Sequence, residues 1–195
     1  MSENLRLPQN INHLLMEIGE KSVTFRLFLL TRKLKKINDE KNLNKYNSSY
    51  WEVYPNLAES GCDVQLINHN NKGCNRLKIE VKTRQRLSTI HNGVKNRSFS
   101  FSVTENEFKN MDFLICYWFE KNSYFIIPKQ IKEKSQHVLK ETSSNGEKKY
   151  YIKIPIRRDN TPNISDELKK YQDDKGWGLL ENHLVDYNGK GECNV

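Results

Sequence analysis

The chain has 195 residues, of which 36% are hydrophobic, and its mean hydropathy is −0.83. This length fits one α/β domain with a modest core, and no stretch is apolar for long enough to span a bilayer. Lysine and arginine number 32 against 24 acidic residues, and the formal charge of +8 favours a polyanionic partner because neutralised phosphates release condensed counterions.

The N-terminus and the cysteines indicate the cellular compartment of the protein. The opening MSENLRLPQN lacks the apolar run and cleavage site of a secretory signal. The four cysteines form no CxxC pair, and Cys62 and Cys116 fall in predicted strands, where a buried free thiol is ordinary. We therefore expect a cytoplasmic protein.

The first predicted element is a helix over 11–37 in two parts. Four apolar residues from Ile11 to Ile18 follow the i, i+3, i+4, i+7 spacing of an amphipathic helix. Gly19 is expected to kink or break the helix, and Ser22 to cap a second segment.

Strands dominate the middle of the sequence. Alternation predicts strands at 50–55, 62–67, 76–83 and 98–103, and a polar turn, NHNNKGCN, joins the second to the third. Thr104 and Glu107 have capping-box spacing for a short helix. The apolar run DFLICYWF predicts a strand covered on both faces. The remaining predictions are a hairpin strand at 123–128, a short helix at 128–135, a polar segment at 141–148, a strand near 150–156 and a helix near 165–174.

This order predicts an α/β fold with a central mixed β-sheet flanked by helices. We expect residues 1–195 to form one domain, with a core of about 11–180 and a flexible tail at 186–195.

Two of the strands bring carboxylates together. In a hairpin of 62–67 with 76–83 the apolar faces coincide only if opposed residue numbers sum to an odd value such as 143 or 145. Asp63 and Glu80 then lie on the same polar face, with Lys82 two residues along it. Two adjacent carboxylates need a cation between them, and Mg²⁺ prefers oxygen ligands. With a lysine beside it, such a site has the groups that phosphodiester hydrolysis requires.

Two simpler interpretations fit the same residues. Glu-x-Lys in an exposed strand usually means a solvated face with a weak ion pair. An aspartate that follows a glycine, as Asp63 follows Gly61 and Cys62, is often a turn residue.

The segment GCDVQLI, a hairpin and KIEVK resemble the core motif of the PD-(D/E)xK nuclease superfamily, which includes restriction enzymes, Holliday junction resolvases and some homing endonucleases. Asp63 matches the aspartate of that motif, and Glu80-Val81-Lys82 matches its (D/E)-x-K. Cys62 stands where the name-giving proline would lie, a departure that is common in the superfamily. The resemblance covers about residues 11–180.

The resemblance implies a restriction-endonuclease-like fold and a set of roles. Asp63 and Glu80 would bind Mg²⁺, with Mn²⁺ as a substitute, and the Val81 carbonyl would be a third ligand. Lys82 would orient the attacking water. Glu20, in the preceding helix, occupies the place of a glutamate that often joins this site.

Nucleic-acid contacts are expected from a basic segment that leaves the site. Its candidate residues are Arg84, Gln85, Arg86, Lys95 and Arg97. Such a segment could contact phosphates or bases in a groove, and it could equally be a solvated basic loop.

We therefore expect a metal-dependent endonuclease that hydrolyses double-stranded DNA, acting as a homodimer because cutting a duplex needs two sites. One alternative is a non-catalytic nucleic-acid-binding module of the same fold. The other is an interaction domain of a larger complex, in which the basic charge is incidental.

Overall fold

The structure is a computed structural model that describes residues 9–41, 50–55, 62–70, 73–84, 90–91, 94–95, 98–135, 138–144, 146–157 and 161–187. Its helices are α1 (Gln9–Lys41), α2 (Glu105–Asn110), α3 (Ile131–Lys134), α4 (Asp166–Lys169) and α5 (Asp173–Tyr187). Its strands are β1 (Tyr50–Pro55), β2 (Val64–Asn70), β3 (Gly73–Arg84), β4 (Ile90–His91), β5 (Val94–Lys95), β6 (Ser98–Thr104), β7 (Phe113–Trp118), β8 (Ser123–Pro128), β9 (Lys140–Ser144) and β10 (Glu147–Pro155). None of the helices in these ranges carries an apolar stretch that would cross a membrane.

A five-stranded sheet of order β1-β2-β3-β7-β8 forms the centre of the fold. Its strands pair antiparallel except for β3 and β7, which are parallel, so the sheet is mixed. The connection from β3 to β7 passes through a second sheet, of order β6-β10-β9, and the short helix α2. The predicted α/β fold class, a central mixed sheet with flanking helices, is confirmed.

Each face of the central sheet has its own core. On one face, α1 and α5 contribute Val23, Leu27 and Leu180 to a cluster with the apolar residues of β2, β3 and β8. On the other face, Leu114 and Cys116 of β7 pack against the second sheet and against residues of α3 and α4. The run DFLICYWF is buried along the whole of β7, as predicted for a strand covered on both faces.

The second sheet differs from the sequence prediction. Residues 141–148 are predicted to be a polar segment, but most of them lie in β9 and in the start of β10, which pair antiparallel. The segment is polar and exposed, as predicted, but its strands are not predicted because KETSS has no apolar alternation. Its backbone is satisfied by the ladder with β10, and its polar side chains suit an edge strand.

The first helix is continuous, so the predicted break at Gly19 and the cap at Ser22 are wrong. Gly19 lies where α1 crosses β3, and a Cβ atom placed on it would be 1.7 Å from Thr83 Oγ1. The glycine thus permits close packing instead of ending the helix. Ser22 Oγ shares a 2.7 Å hydrogen bond with Tyr124 Oη of β8.

The C-terminal helix near 165–174 is in fact two helices. The short α4 ends before Lys170, and Asp173, with φ of 46°, begins the longer α5. Its carboxylate accepts hydrogen bonds from Ser123 Oγ at 2.9 Å and from the Tyr124 amide at 2.7 Å. These contacts to β8 hold the chain in the break between α4 and α5, which helical periodicity does not predict. Most of the predicted tail, from residue 188 onward, lies outside the described residues.

Candidate active site

The hairpin of β2 and β3 sets the position of the first candidate residue. Val64 lies opposite Ile79, so opposed numbers sum to 143, and the predicted odd register is confirmed. Asp63 directly precedes β2, and its amide donates to the Ile79 carbonyl at 3.1 Å. The Val81 amide donates to Asp63 Oδ2 at 2.6 Å, which holds the carboxylate at the end of the strand.

Glu80 lies on β3, the middle strand of the central sheet, just beyond the β2–β3 ladder and opposite Leu114 of β7. It is 3% exposed, although carboxylates are almost never buried without a partner. Burial, and then the charge of Asp63, raise its pKa to about 7. Burial also raises the pKa of Asp63. The pair is therefore a partly buried site that favours positive charge.

Lys82 supplies positive charge to this pair. Its Nζ atom donates to Glu80 Oε1 at 2.6 Å and to Glu107 Oε1 at 2.8 Å. Burial acts to lower the pKa of Lys82, but the charge of Glu80 and the hydrogen bonds to both glutamates outweigh it and raise the pKa to about 12. Lys82 is thus an ammonium ion at neutral pH.

Glu107 is a site residue that the sequence analysis assigned only to a helix cap. The capping box is confirmed: Thr104 Oγ1 accepts from the Glu107 amide, and Glu107 Oε2 accepts from the Thr104 amide at 2.6 Å. The other oxygen of the same carboxylate contacts Lys82. Burial acts to raise the pKa of Glu107, but the bonds from Lys82 and Thr104 lower it. The capping-box spacing in the sequence points to Glu107 as a cap, but it does not predict that the other carboxylate oxygen bonds to Lys82.

The structure brings Glu20 near the same charges. It is half-buried on α1, next to Gly19, and burial followed by the charge of Asp63 raises its pKa, while the charge of Lys82 acts in the opposite direction. The backbone of Val81 lies between Glu80 and Lys82, with its amide bound to Asp63. Its carbonyl as a metal ligand stays a prediction.

The basic segment after the site is described only in part. Arg84 is exposed at the end of β3, and its Nε atom donates to the Ser100 carbonyl of β6 at 3.0 Å. The backbone of Lys95 lies in β5, which pairs with β4. The other three candidates, Gln85, Arg86 and Arg97, lie outside the described residues.

The residues present fit a hard divalent cation through their chemistry. Asp63 and Glu80 offer carboxylate oxygens, the donors that Mg²⁺ prefers, and burial raises the pKa of each, a cost that a bound cation would offset. Within the described ranges, no three His, Cys, Asp or Glu residues are already arranged around a common metal position. A bound ion would complete its coordination with water, as Mg²⁺ commonly does.

Comparison with solved structures finds a bacterial homing endonuclease with a TM-score of 0.50, over 91% of this chain and 97% of that one. The two chains share a fold. Their sequences are 12% identical, so the similarity concerns the fold alone. A nuclease from a fusselovirus also matches, with a TM-score of 0.42 and 13% identity over 76% of this chain and 86% of that one. The sequence matches no protein-family model and no curated protein.

Proposed function

We propose that the protein is a metal-dependent endonuclease that hydrolyses DNA phosphodiester bonds, with Mg²⁺ as its metal and Mn²⁺ as a substitute. The observation that carries this proposal is the meeting of Asp63, Glu80 and Lys82 in one cluster, in which Glu80 is buried. The fold on which this cluster lies is shared with a homing endonuclease. The same three residues carry the resemblance to the PD-(D/E)xK motif.

Each residue has a proposed role in the reaction. Asp63 and Glu80 would hold the ion, with Glu20 and the Val81 carbonyl as further donors. The bound ion supplies Lewis-acid polarisation of the phosphoryl oxygen and activation of water. Lys82, held 2.6 Å from Glu80, orients the attacking water and stabilises negative charge as it develops on the phosphorus oxygens.

Double-stranded DNA is the proposed substrate. The formal charge of +8 supports a polyanion, since each phosphate neutralised by lysine or arginine releases counterions. Arg84, two residues beyond Lys82 and hydrogen-bonded to β6, would contact a phosphate beside the scissile one. Gln85, Arg86, Lys95 and Arg97 would extend this contact along the backbone.

A homodimer is the proposed assembly, with the outer face of α1 as its interface. Leu14, Phe25, Phe28 and Leu29 of this face are 45% to 61% exposed, which is unusual for side chains of this size. Pairing of this face with the same face of a second copy would cover the apolar side chains.

Light scattering after size exclusion tests this assembly. The wild type should elute with twice the mass of the chain, and Phe25→Glu should give the monomer because it places a charge in the interface. Leu179→Glu, on an exposed position of α5, is the matched control and should stay dimeric. A monomeric wild type would show that α1 does not pair with itself.

Incubation with supercoiled plasmid tests the catalytic proposal. Nicked or linear products should form with Mg²⁺ or Mn²⁺ and not with EDTA. Binding that is equal with and without EDTA, with no cleavage, would identify a nucleic-acid-binding module instead. Absence of binding even at low salt would favour an interaction domain.

A further inference from the structure

Lys82 is shared between two carboxylates that come from different parts of the fold. Glu80 belongs to β3 of the central sheet, and Glu107 belongs to α2, which packs on the second sheet. Under the proposed function, Glu80 must direct its oxygens to the metal ion. A hydrogen bond from Lys82 to Glu80 competes with metal binding, because the ammonium group and the ion bind the same carboxylate oxygens.

The two oxygens of Glu107 have separate partners. Oε1 accepts from Lys82 at 2.8 Å, while Oε2 accepts from the Thr104 amide at 2.6 Å and from Thr104 Oγ1 at 2.9 Å. The second set of bonds fixes the carboxylate, so the oxygen that faces Lys82 has little freedom to move. A glutamine could not replace both functions, because its amide offers one acceptor oxygen and not two.

The helix that carries Glu107 is itself well anchored. Phe108 stacks on Tyr150 of β10 with ring centroids 3.9 Å apart, and Met111, which ends the helix, is 1% exposed. The Met111 amide donates to the Glu107 carbonyl at 3.0 Å. Glu107 is therefore an acceptor whose position is fixed by Thr104 and by the anchored helix, independently of Glu80.

We propose that Glu107 is a positioning residue, which keeps the Lys82 ammonium beside the scissile phosphate when Glu80 turns to the metal ion. This inference rests on the proposed nuclease function and extends it to a residue outside the motif formed by Asp63 and Glu80-Val81-Lys82. Glu107 touches neither DNA nor ion. It acts through Lys82, holding the nitrogen and reducing its competition for Glu80.

A double-mutant cycle tests whether Glu107 acts through Lys82. Glu107→Ala should lower kcat for plasmid cleavage by about 10- to 100-fold, the usual loss when the partner of an active-site group is removed, and leave KM for DNA nearly unchanged. In a Lys82→Ala background the same change should have almost no further effect. Calorimetric binding of Mn²⁺, without DNA, should show the same pattern: weaker binding in Glu107→Ala and no added effect in the double variant.

Two controls separate this role from charge and from helix capping. Glu105→Ala removes an equal charge from the first turn of α2, where Glu105 pairs with the exposed Lys109 at 2.9 Å, and cleavage should stay within about twofold of wild type. Thr104→Ala removes the capping hydroxyl and leaves the Lys82 contact, so its effect on kcat should be clearly smaller than that of Glu107→Ala.

The possible results lead to different conclusions. If the wild type neither binds Mn²⁺ nor cuts DNA, the proposed function is wrong and the role of Glu107 falls with it. Suppose that the wild type binds Mn²⁺ and cuts DNA. If Glu107→Ala then cuts at the wild-type rate, or lowers kcat by the same factor in the Lys82→Ala background as in the wild type, only the role of Glu107 is wrong. An equal loss in Glu105→Ala or Thr104→Ala would also overturn it.

Discussion

The contact between Gly19 and Thr83 determines how closely α1 approaches the strand that carries Glu80 and Lys82. We expect Gly19→Ala to destabilise the protein, although alanine is the better helix former. The added Cβ atom would lie 1.7 Å from Thr83 Oγ1, 2.9 Å from its Cβ and 3.1 Å from its Cγ2. Rotation of the threonine side chain leaves its Cβ in place, so α1 must move away from β3.

The size of the effect follows from two opposing contributions. Helix propensity favours alanine over glycine by about 1 kcal/mol. Overpacking of a close contact costs about 1–3 kcal/mol, and this site is at the upper end because α1 also buries Val23 and Leu27 fully against the sheet. We expect a net loss of about 1–2 kcal/mol, which lowers the melting temperature by about 2–8 °C for a chain of this size.

Thermal unfolding followed by circular dichroism measures this loss, and Gly178→Ala is its matched control. Gly178 lies within α5, and an added Cβ there meets no atom within 4 Å, so the same substitution should stabilise the protein by up to about 1 kcal/mol. Cleavage should also fall in Gly19→Ala, because Glu20 moves with the helix. A Gly19→Ala protein as stable as Gly178→Ala would refute the close packing of α1 on β3.

Three further predictions concern the site. Asp63→Asn should fold and bind DNA but fail to cut, and high Mn²⁺ should partly restore its cleavage. Lys82→Ala should cut about 10²–10³-fold more slowly than wild type, and added metal should not restore its rate. Cleavage by both variants would place the active site elsewhere. Because burial raises the pKa of Glu80 from 4.5 to about 7, the metal-free protein should lose stability as pH rises through that interval. Glu80→Gln should therefore be more stable than wild type by about 3 kcal/mol at pH 8 and not at pH 4.5, and equal unfolding curves at pH 8 would contradict this. Replacing the four lysine and arginine residues between 84 and 97 should flatten the salt dependence of DNA binding, and an unchanged slope would exclude this segment from the interface.

The parts of the site that lie on neighbouring strands are accessible from the sequence. Alternation fixes which residues share a face, and its parity alone places Asp63 on the same face as Glu80. The short reach of a hairpin makes such inferences reliable, because both strands are close in the chain. The capping box at Thr104 is equally local, and it is present as predicted.

Features that depend on contacts between residues far apart in the chain cannot be predicted from the sequence pattern. Nothing in the helical pattern of α1 reveals that Gly19 meets Thr83, 64 residues later, so the pattern alone predicts a kink or a break at the glycine. In the same way, the contact of Glu107 with Lys82 follows from the docking of α2 and not from a spacing. The strand β9 is not predicted because an edge strand of this kind depends on its partner for its conformation.

Lys82 joins two layers that are built from separate hydrophobic clusters. Asp63 and Glu80 are brought together by the β2–β3 hairpin of the central sheet, but Glu107 reaches Lys82 only when the β6-β10-β9 layer has docked. The full set of charges around the lysine is therefore a property of the finished fold.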